Sequence, residues 1–222
     1  MSSVVVSKIR RNVEDYGWST ALRKVVAYLL KPIYFQRVYR VFRINLDEPR
    51  PELDTISQSF TFKILTPNDK STVSQIERMA EWLHDELEAK IRAGSLCFVA
   101  LNGEEVAGFN LVSFGKVFVP LLNTSWVFRP KEAWSEHIAI LKNYRKQGLG
   151  SQLGCVMFKE LQNRGFKRVY GGTLISNLAS QKRARKVGFR VFVDVHYRKL
   201  MGFQTWHYKR VRQWAVAPGR AA

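Results

Sequence analysis

The chain has 222 residues, is 46% hydrophobic and carries a net charge of +18; that length and apolar content suit one sizeable domain, or one domain plus an appendage, and argue against disorder as the default. Its two cysteines, Cys97 and Cys155, are too few for a disulfide framework and fit a reducing compartment, where each reads as a small buried apolar residue. The first apolar run, Val4-Val5-Val6, is too short for a signal peptide and no run of about 20 apolar residues spans a bilayer, which points to a cytoplasmic protein, soluble or peripheral at a membrane surface.

Taken in chain order, Trp18, Leu22, Val25, Val26 and Leu29 recur at helical spacing before Pro32 interrupts. Phe35, Val38, Tyr39, Phe42 and Leu46 then predict a second helix, with Arg37, Arg40 and Arg43 on its other face: a basic amphipathic helix. No acidic residue occurs between Gly17 and Leu46. Residues 47–54, with Pro49 and Pro51, read as a linker, so residues 1–57 form a helical appendage with its linker and 58–222 the main domain. Packing on the domain or on a second subunit, as in a homodimer, docking to an acidic carrier protein, and contact with an anionic membrane are the alternatives for the appendage.

In the main domain, residues 60–65 alternate like a strand, Thr66-Pro67 resembles an N-cap with proline at the first helical position, and Met79, Trp82, Leu83, Leu87 and Ile91 continue one helix toward Gly94. Strands at 96–101 and 106–112 flank the hairpin signal Asn102-Gly103. A strand at 133–141 enters a basic glycine turn, a helix follows at 151–164, a strand at 167–173, a helix at 177–187, and two strands near 189–198 and 203–212 close the order.

The glycine turn carries the strongest functional signal. In Arg145-Lys146-Gln147-Gly148-Leu149-Gly150 the glycines permit positive φ and close backbone approach, so successive N–H groups can converge on an anion at a helix N-terminus. The spacing is neither a P-loop nor a dinucleotide GxGxxG. This Arg-x-x-Gly-x-Gly turn, preceded by Ile138-x-Ile140 and Tyr144 and followed by Asn177, Ser180 and Gly188-Phe189 in order, resembles the acyl-CoA loop and later motif of the GNAT acyltransferase superfamily. The resemblance covers about residues 60–214. It implies a mixed α/β fold, with a mostly antiparallel twisted sheet of about seven strands flanked by helices.

It also implies acetyl-CoA, or another acyl-CoA, as co-substrate and direct attack by a primary amine of a small-molecule or carbohydrate-linked acceptor. The amides of Lys146, Gln147, Gly148, Leu149, Gly150 and Ser151 then hold the pyrophosphate, with Arg145 contacting it or bracing the loop. By the same resemblance the Ile140 N–H polarises the thioester carbonyl and Leu141 pairs with the CoA arm. Asn177 and Ser180 contact the pantetheine or simply cap their helix. Residues 134, 136, 138 and 140 share a strand face on which Glu136 is the one ionisable group, a base or a salt-bridged carboxylate; His137 falls on the opposite face.

One departure is clear: where many members carry a general-acid tyrosine, seven residues beyond Asn177, this chain has Ala184. Tyr197, Ser176 or water are candidate substitutes. A long-chain transfer from acyl carrier protein and a non-catalytic acyl-CoA-binding module remain the competing readings. From Ala139 onward, eighteen Lys or Arg face only Glu160 and Asp194, an excess over what CoA needs that suits an acidic partner, an anionic acceptor or a membrane surface. His84, His196 and His207 show no metal-ligand spacing, so no metal is expected. The aromatic residues of 197–214 sit at strand spacing, which favours sheet core over nucleic-acid stacking.

Overall fold

The computed structural model describes residues 33–51, 60–80, 83 and 86–211. The chain divides into two compact units, one built on Tyr39–Asp194 and one on Val195–Lys209 with the residues up to Val38.

The larger unit is a mixed sheet. Its strands are β1 (Tyr34–Asn45), β2 (Thr61–Ile64), β3 (Leu96–Asn102), β4 (Glu105–Ser113), β7 (Glu132–Ile140), β8 (Arg168–Leu174) and the start of β9 (Arg190–Leu200). Their order is β9-β1-β8-β7-β4-β3-β2. The β7–β8 pairing is parallel and the other registered pairs of the sheet are antiparallel. Helices α1 (Lys70–Met79) and α2 (Leu87–Arg92) cover one face through a core of Leu65, Val73, Ile76, Leu87, Val99, Phe109 and Leu111. Helices α3 (Leu149–Asn163) and α4 (Leu178–Lys186) supply Leu153, Met157, Phe158 and Ala184 to the second core, on Phe42, Ile44, Phe98 and Val169. Cys97, on the first core, is fully buried and its thiol is pushed up to about 12 by that burial.

The amphipathic helix expected over residues 35–46 is instead strand β1, paired along Tyr39–Asn45 with β8. The reason is burial on both faces. Phe42, Ile44 and Leu46 enter one core, while Tyr39 and Val41 are buried on the other side. A strand covered on both sides shows a run of apolar residues rather than alternation, and such a run also satisfies helical spacing. Its β-branched and aromatic content is what a strand favours. Arg40 is not a solvated helix charge: Nε and Nη2 grip Asp194 at 2.8 and 2.7 Å and Nη1 donates to Gln181 Oε1 at 3.0 Å. Of the two helices on which the membrane expectation rested, the second is thus a strand, and the first, at 18–29, lies outside the described residues.

Two other expectations change. The single helix toward Gly94 is two, and its cap is Asp69 rather than Thr66, whose N–H and Oγ1 both donate to Asp69 Oδ2 at 2.8 Å. Between β4 and β7 an unforeseen ribbon, β5 (Lys116–Val119) with β6 (Thr124–Val127), turns through Pro120–Leu122 and Asn123 at φ 48°.

In the smaller unit the end of β9 and β10 (Phe203–Arg210) are joined by Met201 and Gly202, at φ 48° and 90°. Tyr197 packs against Phe35 and Trp206, and its hydroxyl donates to Gln204 Oε1 at 2.9 Å.

Because Phe42 is 2% exposed in the middle of the core, Phe42→Ala should cost about 3–5 kcal/mol in denaturant unfolding. A chain begun at Leu53, which lacks β1, should show no cooperative transition. A truncated chain that unfolds cooperatively would show β1 to be dispensable.

Candidate functional site

Strands β7 and β8 pair only from Glu132–Arg168 to Ser135–Gly171 and then part. On its other edge β7 stays tied to β4, with Leu141 N–H donating to Ala107 C=O at 2.9 Å. In an antiparallel ladder alternate residues turn their N–H groups outward, so with Leu141 and Ala139 facing β4, the Ile138 and Ile140 N–H groups face the gap on the β8 side. The expected carbonyl-polarising position of Ile140 is therefore compatible with this geometry. The pairing also depends on Gly108, where a Cβ would stand 2.4 Å from Ile140 Cδ1 and 2.9 Å from Ala139 O.

The register between β4 and β7 slips at one point: Leu111 opposes His137 and Val112 opposes Ser135, leaving Glu136 as the extra residue of a β-bulge. A bulge breaks the two-residue alternation. Trp134, Ser135, Glu136, His137 and Ile138 all line one cavity of about 750 Å³, and His137, with Nε2 3.5 Å from Glu136 Oε1, lies on the Glu136 side rather than on the opposite face that the strand period predicted. Across the gap, the cavity is bounded by Gly171, Gly172 and Thr173 of β8 and by Tyr39 of β1. Phe118, Pro120 and Leu121 of the ribbon form an apolar wall, Glu86 and Lys90 come from the α2 region, and Asn177, Ser180, Arg183 and Ala184 come from α4.

Glu136 has a side chain only 3% exposed. Lys90 Nζ donates to Oε1 at 2.7 Å, Ser113 Oγ donates to Oε2 at 2.8 Å, and His137 Nε2 lies 3.5 Å from Oε1. Burial alone would raise its pKa, but the hydrogen bonds from His137, Lys90 and Ser113, with the Lys90 charge, outweigh it and hold the carboxyl at about 2. Such a carboxylate is ionised throughout the working range and is a weak base. Tyr39 is 4% exposed, and burial first, then the negative field of Glu136, push its hydroxyl well above the ordinary phenol value. Its ring lies on the backbone of Gly172, where a Cβ would stand 2.2 Å from Tyr39 Cε1. The side-chain-free Gly172 is what admits it.

The glycine turn sits beside this cavity. Tyr144 anchors it from inside, its hydroxyl donating to Glu105 Oε2 at 2.6 Å and accepting from Asn102 Nδ2 at 3.0 Å. Arg145 Nε donates to Ile140 C=O at 2.9 Å, so this guanidinium braces the loop against the strand. Gln147 Nε2 donates to Asn143 C=O at 3.0 Å. Lys146 and Gly148 take φ values of 64° and 83°, the left-handed conformation that curls a chain around an anion. Among the described residues, the N–H groups of 146–150 have no intramolecular acceptor, whereas Ser151 N–H is taken by Gly148 C=O at 2.8 Å. Five amides at the start of a fifteen-residue helix remain for an anion.

Two expected contacts are thus already committed inside the protein. Leu141 uses its N–H on Ala107 and its C=O on Tyr144 N–H at 3.0 Å, and Ser151 uses its N–H on the first turn of α3. Asn177 acts as the N-cap of α4, accepting from Ser180 N–H at 3.1 Å, while both residues still line the cavity.

Arg183 escaped the sequence reading. It is half-buried on α4, lines the cavity and has its Cδ 3.3 Å from where a Gly150 Cβ would stand, and its guanidinium makes no hydrogen bond or ion pair with another described residue. Burial pulls its pKa down without a compensating carboxylate. A guanidinium left unpaired beside open amides suits an oxyanion. Its sequence neighbourhood, Gln-Lys-Arg-Ala-Arg-Lys, gave no sign of which cation turns inward. Tyr39 and Lys90 are remote in sequence and were equally silent.

A model of the acetyltransferase (GNAT) family matches residues 60–189. The chain belongs to that family. Acetyl-CoA is the family's typical co-substrate, and the open amides at 146–150 with the unpaired Arg183 fit its phosphates. A GCN5-related glucosamine N-acetyltransferase region of a fungal multi-domain GH3 β-N-acetylglucosaminidase superposes with a TM-score of 0.57 at 12% identity, covering 78% of this chain and 22% of that one. A GCN5-related N-acetyltransferase from Sphaerobacter thermophilus gives 0.52 at 18% identity, over 84% and 57% of the two chains. Aminoglycoside N-acetyltransferase AAC(6')-Iy, in complex with CoA, gives 0.48 at 21% identity, over 59% and 91%. Among curated proteins no sequence match is found. No helix of the described residues is long and apolar enough to cross a membrane.

The buried Glu136 carries a testable pH signature. Its folded pKa of about 2 lies below the ordinary 4.5, so its ionised form stabilises the fold above that ordinary value, and this contribution is lost as pH falls from 4.5 toward 2. Glu136→Gln should be less stable than wild type at pH 7, and the gap should close in denaturant unfolding at pH 2. A gap independent of pH would mean that Glu136 is not held as a paired carboxylate.

Proposed function

We propose that this acetyltransferase moves an acyl group from CoA to a primary amine of a small-molecule acceptor, carbohydrate-linked acceptors included, by direct attack in the cavity between β7 and β8. The observation that carries the proposal is the wedge itself: pairing that stops at Ser135–Gly171, two N–H groups facing the gap, and open loop amides beside it. Residues 146–150 and Arg183 would hold the phosphates of CoA, and Ile140 N–H would receive the thioester carbonyl. Bound there, CoA supplies the activated acyl group.

With Glu136 paired to Lys90, the Glu86 carboxylate is the charge left to attract an ammonium, and the Phe118–Leu121 wall and Trp134 offer an apolar surface to its carbon skeleton. With Glu136 too weakly basic, His137 is the group that takes the amine proton. Its side chain is 26% exposed, and the neighbouring carboxylate at 3.5 Å stabilises the imidazolium that forms. The bound ammonium first loses one proton to water; as the free amine nitrogen bonds to the acyl carbon and the carbon–sulfur bond breaks, its second proton passes to His137.

Ala184 lines the cavity but has no proton to offer. The hydroxyl of Tyr197 is engaged with Gln204 within the smaller unit. Tyr39 supplies the hydroxyl instead. Its raised pKa keeps it protonated, so it donates a hydrogen bond to the departing sulfur without surrendering its proton. The thiolate, whose conjugate acid has a pKa of about 8.5, takes its proton from water.

The decisive experiment is a screen for free CoA thiol with acetyl-CoA and amino sugars, amino acids, polyamines and peptides. Release above hydrolysis with at least one amine is expected, and its absence across the whole set would overturn the catalytic reading. With a working acceptor, His137→Ala should lower kcat by about 10²–10⁴. Tyr39→Phe should lower kcat by about 10–10² with an unchanged KM for acetyl-CoA. Unaltered kcat in either variant removes that residue from the mechanism. Gly148→Val with Gly150→Val should abolish CoA binding in calorimetry, because the side chains crowd the loop amides and valine disfavours the φ of 83°. Retained affinity in the folded double variant would place CoA elsewhere.

A further inference from the structure

A second cavity, of about 530 Å³, lies at the other end of α4 and shares only Phe189 with the lining of the first. It is bounded by the end of β1 and the turn after it (Arg43, Asn45, Glu48, Arg50), by Arg185 near the end of α4, and by Arg190 at the start of β9. Four arginines face one glutamate there.

Two of these guanidiniums are held by aromatic rings rather than by carboxylates. Arg43 Cζ stands 5.0 Å from the centre of Phe192, and Arg50 Cζ stands 5.9 Å from the centre of Phe158. Arg50 Nη2 donates to Gln162 Oε1 at 3.0 Å, but its Nη1 is buried with no hydrogen-bond partner. Glu48 is already shared: Asn45 Nδ2 donates to one oxygen, and Arg190 Nη2 lies 3.4 Å from the other. The Oδ1 of the same Asn45 is also buried and unpartnered.

A buried donor and a buried acceptor without partners, on two residues that line the same cavity, are rare in a folded protein, because each forfeits its bonds to water. Arg50 Nη1 requires an acceptor and Asn45 Oδ1 requires a donor. Stacking on a ring leaves the edge of a guanidinium available, which is the edge that grips a phosphate. The volume suits a small ligand. We propose that this cavity is a second ligand site, which binds a phosphate-bearing hydroxylated small molecule. The phosphate lies on Arg43 and Arg50, and a ligand hydroxyl donates to Asn45 Oδ1.

Calorimetric titration tests this with ribose 5-phosphate and inorganic phosphate as probes, at ionic strength matched with sodium chloride and with CoA saturating the first cavity. One equivalent of ribose 5-phosphate should bind to the wild type, about tenfold more tightly than inorganic phosphate, the worth of one good hydrogen bond. Arg50→Gln should weaken both probes about tenfold, Asn45→Ala should remove the preference for the sugar, and CoA affinity should be unchanged in both variants. Absence of saturable binding, equal affinity for the two probes, or affinities untouched by Arg50→Gln would each overturn the proposal. Repeating the titration on the Gly148→Val, Gly150→Val protein without CoA separates this outcome from a failure of the CoA assignment.

Discussion

Everything in the larger unit is organised by one unmade set of hydrogen bonds. Two parallel strands begin in register and part after four pairs, from Glu132–Arg168 to Ser135–Gly171. A central sheet that opens must have its loose edges tied elsewhere, since unpaired backbone in an interior is costly. β7 is held by β4 on its far side and β8 by β1 on its own. β1 is therefore the strand that lets β8 leave β7 without becoming an edge, which gives a residue-level reason for so much aromatic and β-branched content at 34–46.

Burial of charge follows the same logic. Glu136 occurs where the bulge removes a residue from the ladder, and three donors surround it. Removing any one donor leaves a desolvated carboxylate, so the cluster is rigid for the reason that it would be expensive to break. Arg183 is the opposite case. It has burial without a partner, a condition that a bound anion relieves.

What the sequence disclosed was local. Glycine spacing, the Asn-Gly hairpin and the order of strands and helices are written in neighbouring residues, and those elements stand within a few residues of where they were expected. What it concealed depends on pairing. β1 read as a helix because a strand buried on both faces loses its alternation. The face of His137 was misjudged because a bulge exists only with respect to a partner strand. Tyr39, Lys90 and Arg183 belong to the site through contacts that bring distant segments together. The Pro120–Asn123 turn lacks the glycine that announces a hairpin, so its ribbon, and the apolar wall it gives the cavity, went unseen.

The parting of β7 from β8 also has a consequence for motion. The amide protons of Ile138 and Ile140 lie in the middle of a sheet yet face a gap rather than a carbonyl of the next strand. Isotope exchange at these two positions should then run far ahead of that at Ala139 and Leu141, which face β4. An occupant of the gap that takes the place of the missing strand would slow it, so a strand interior here would report on ligand as loops do in other proteins.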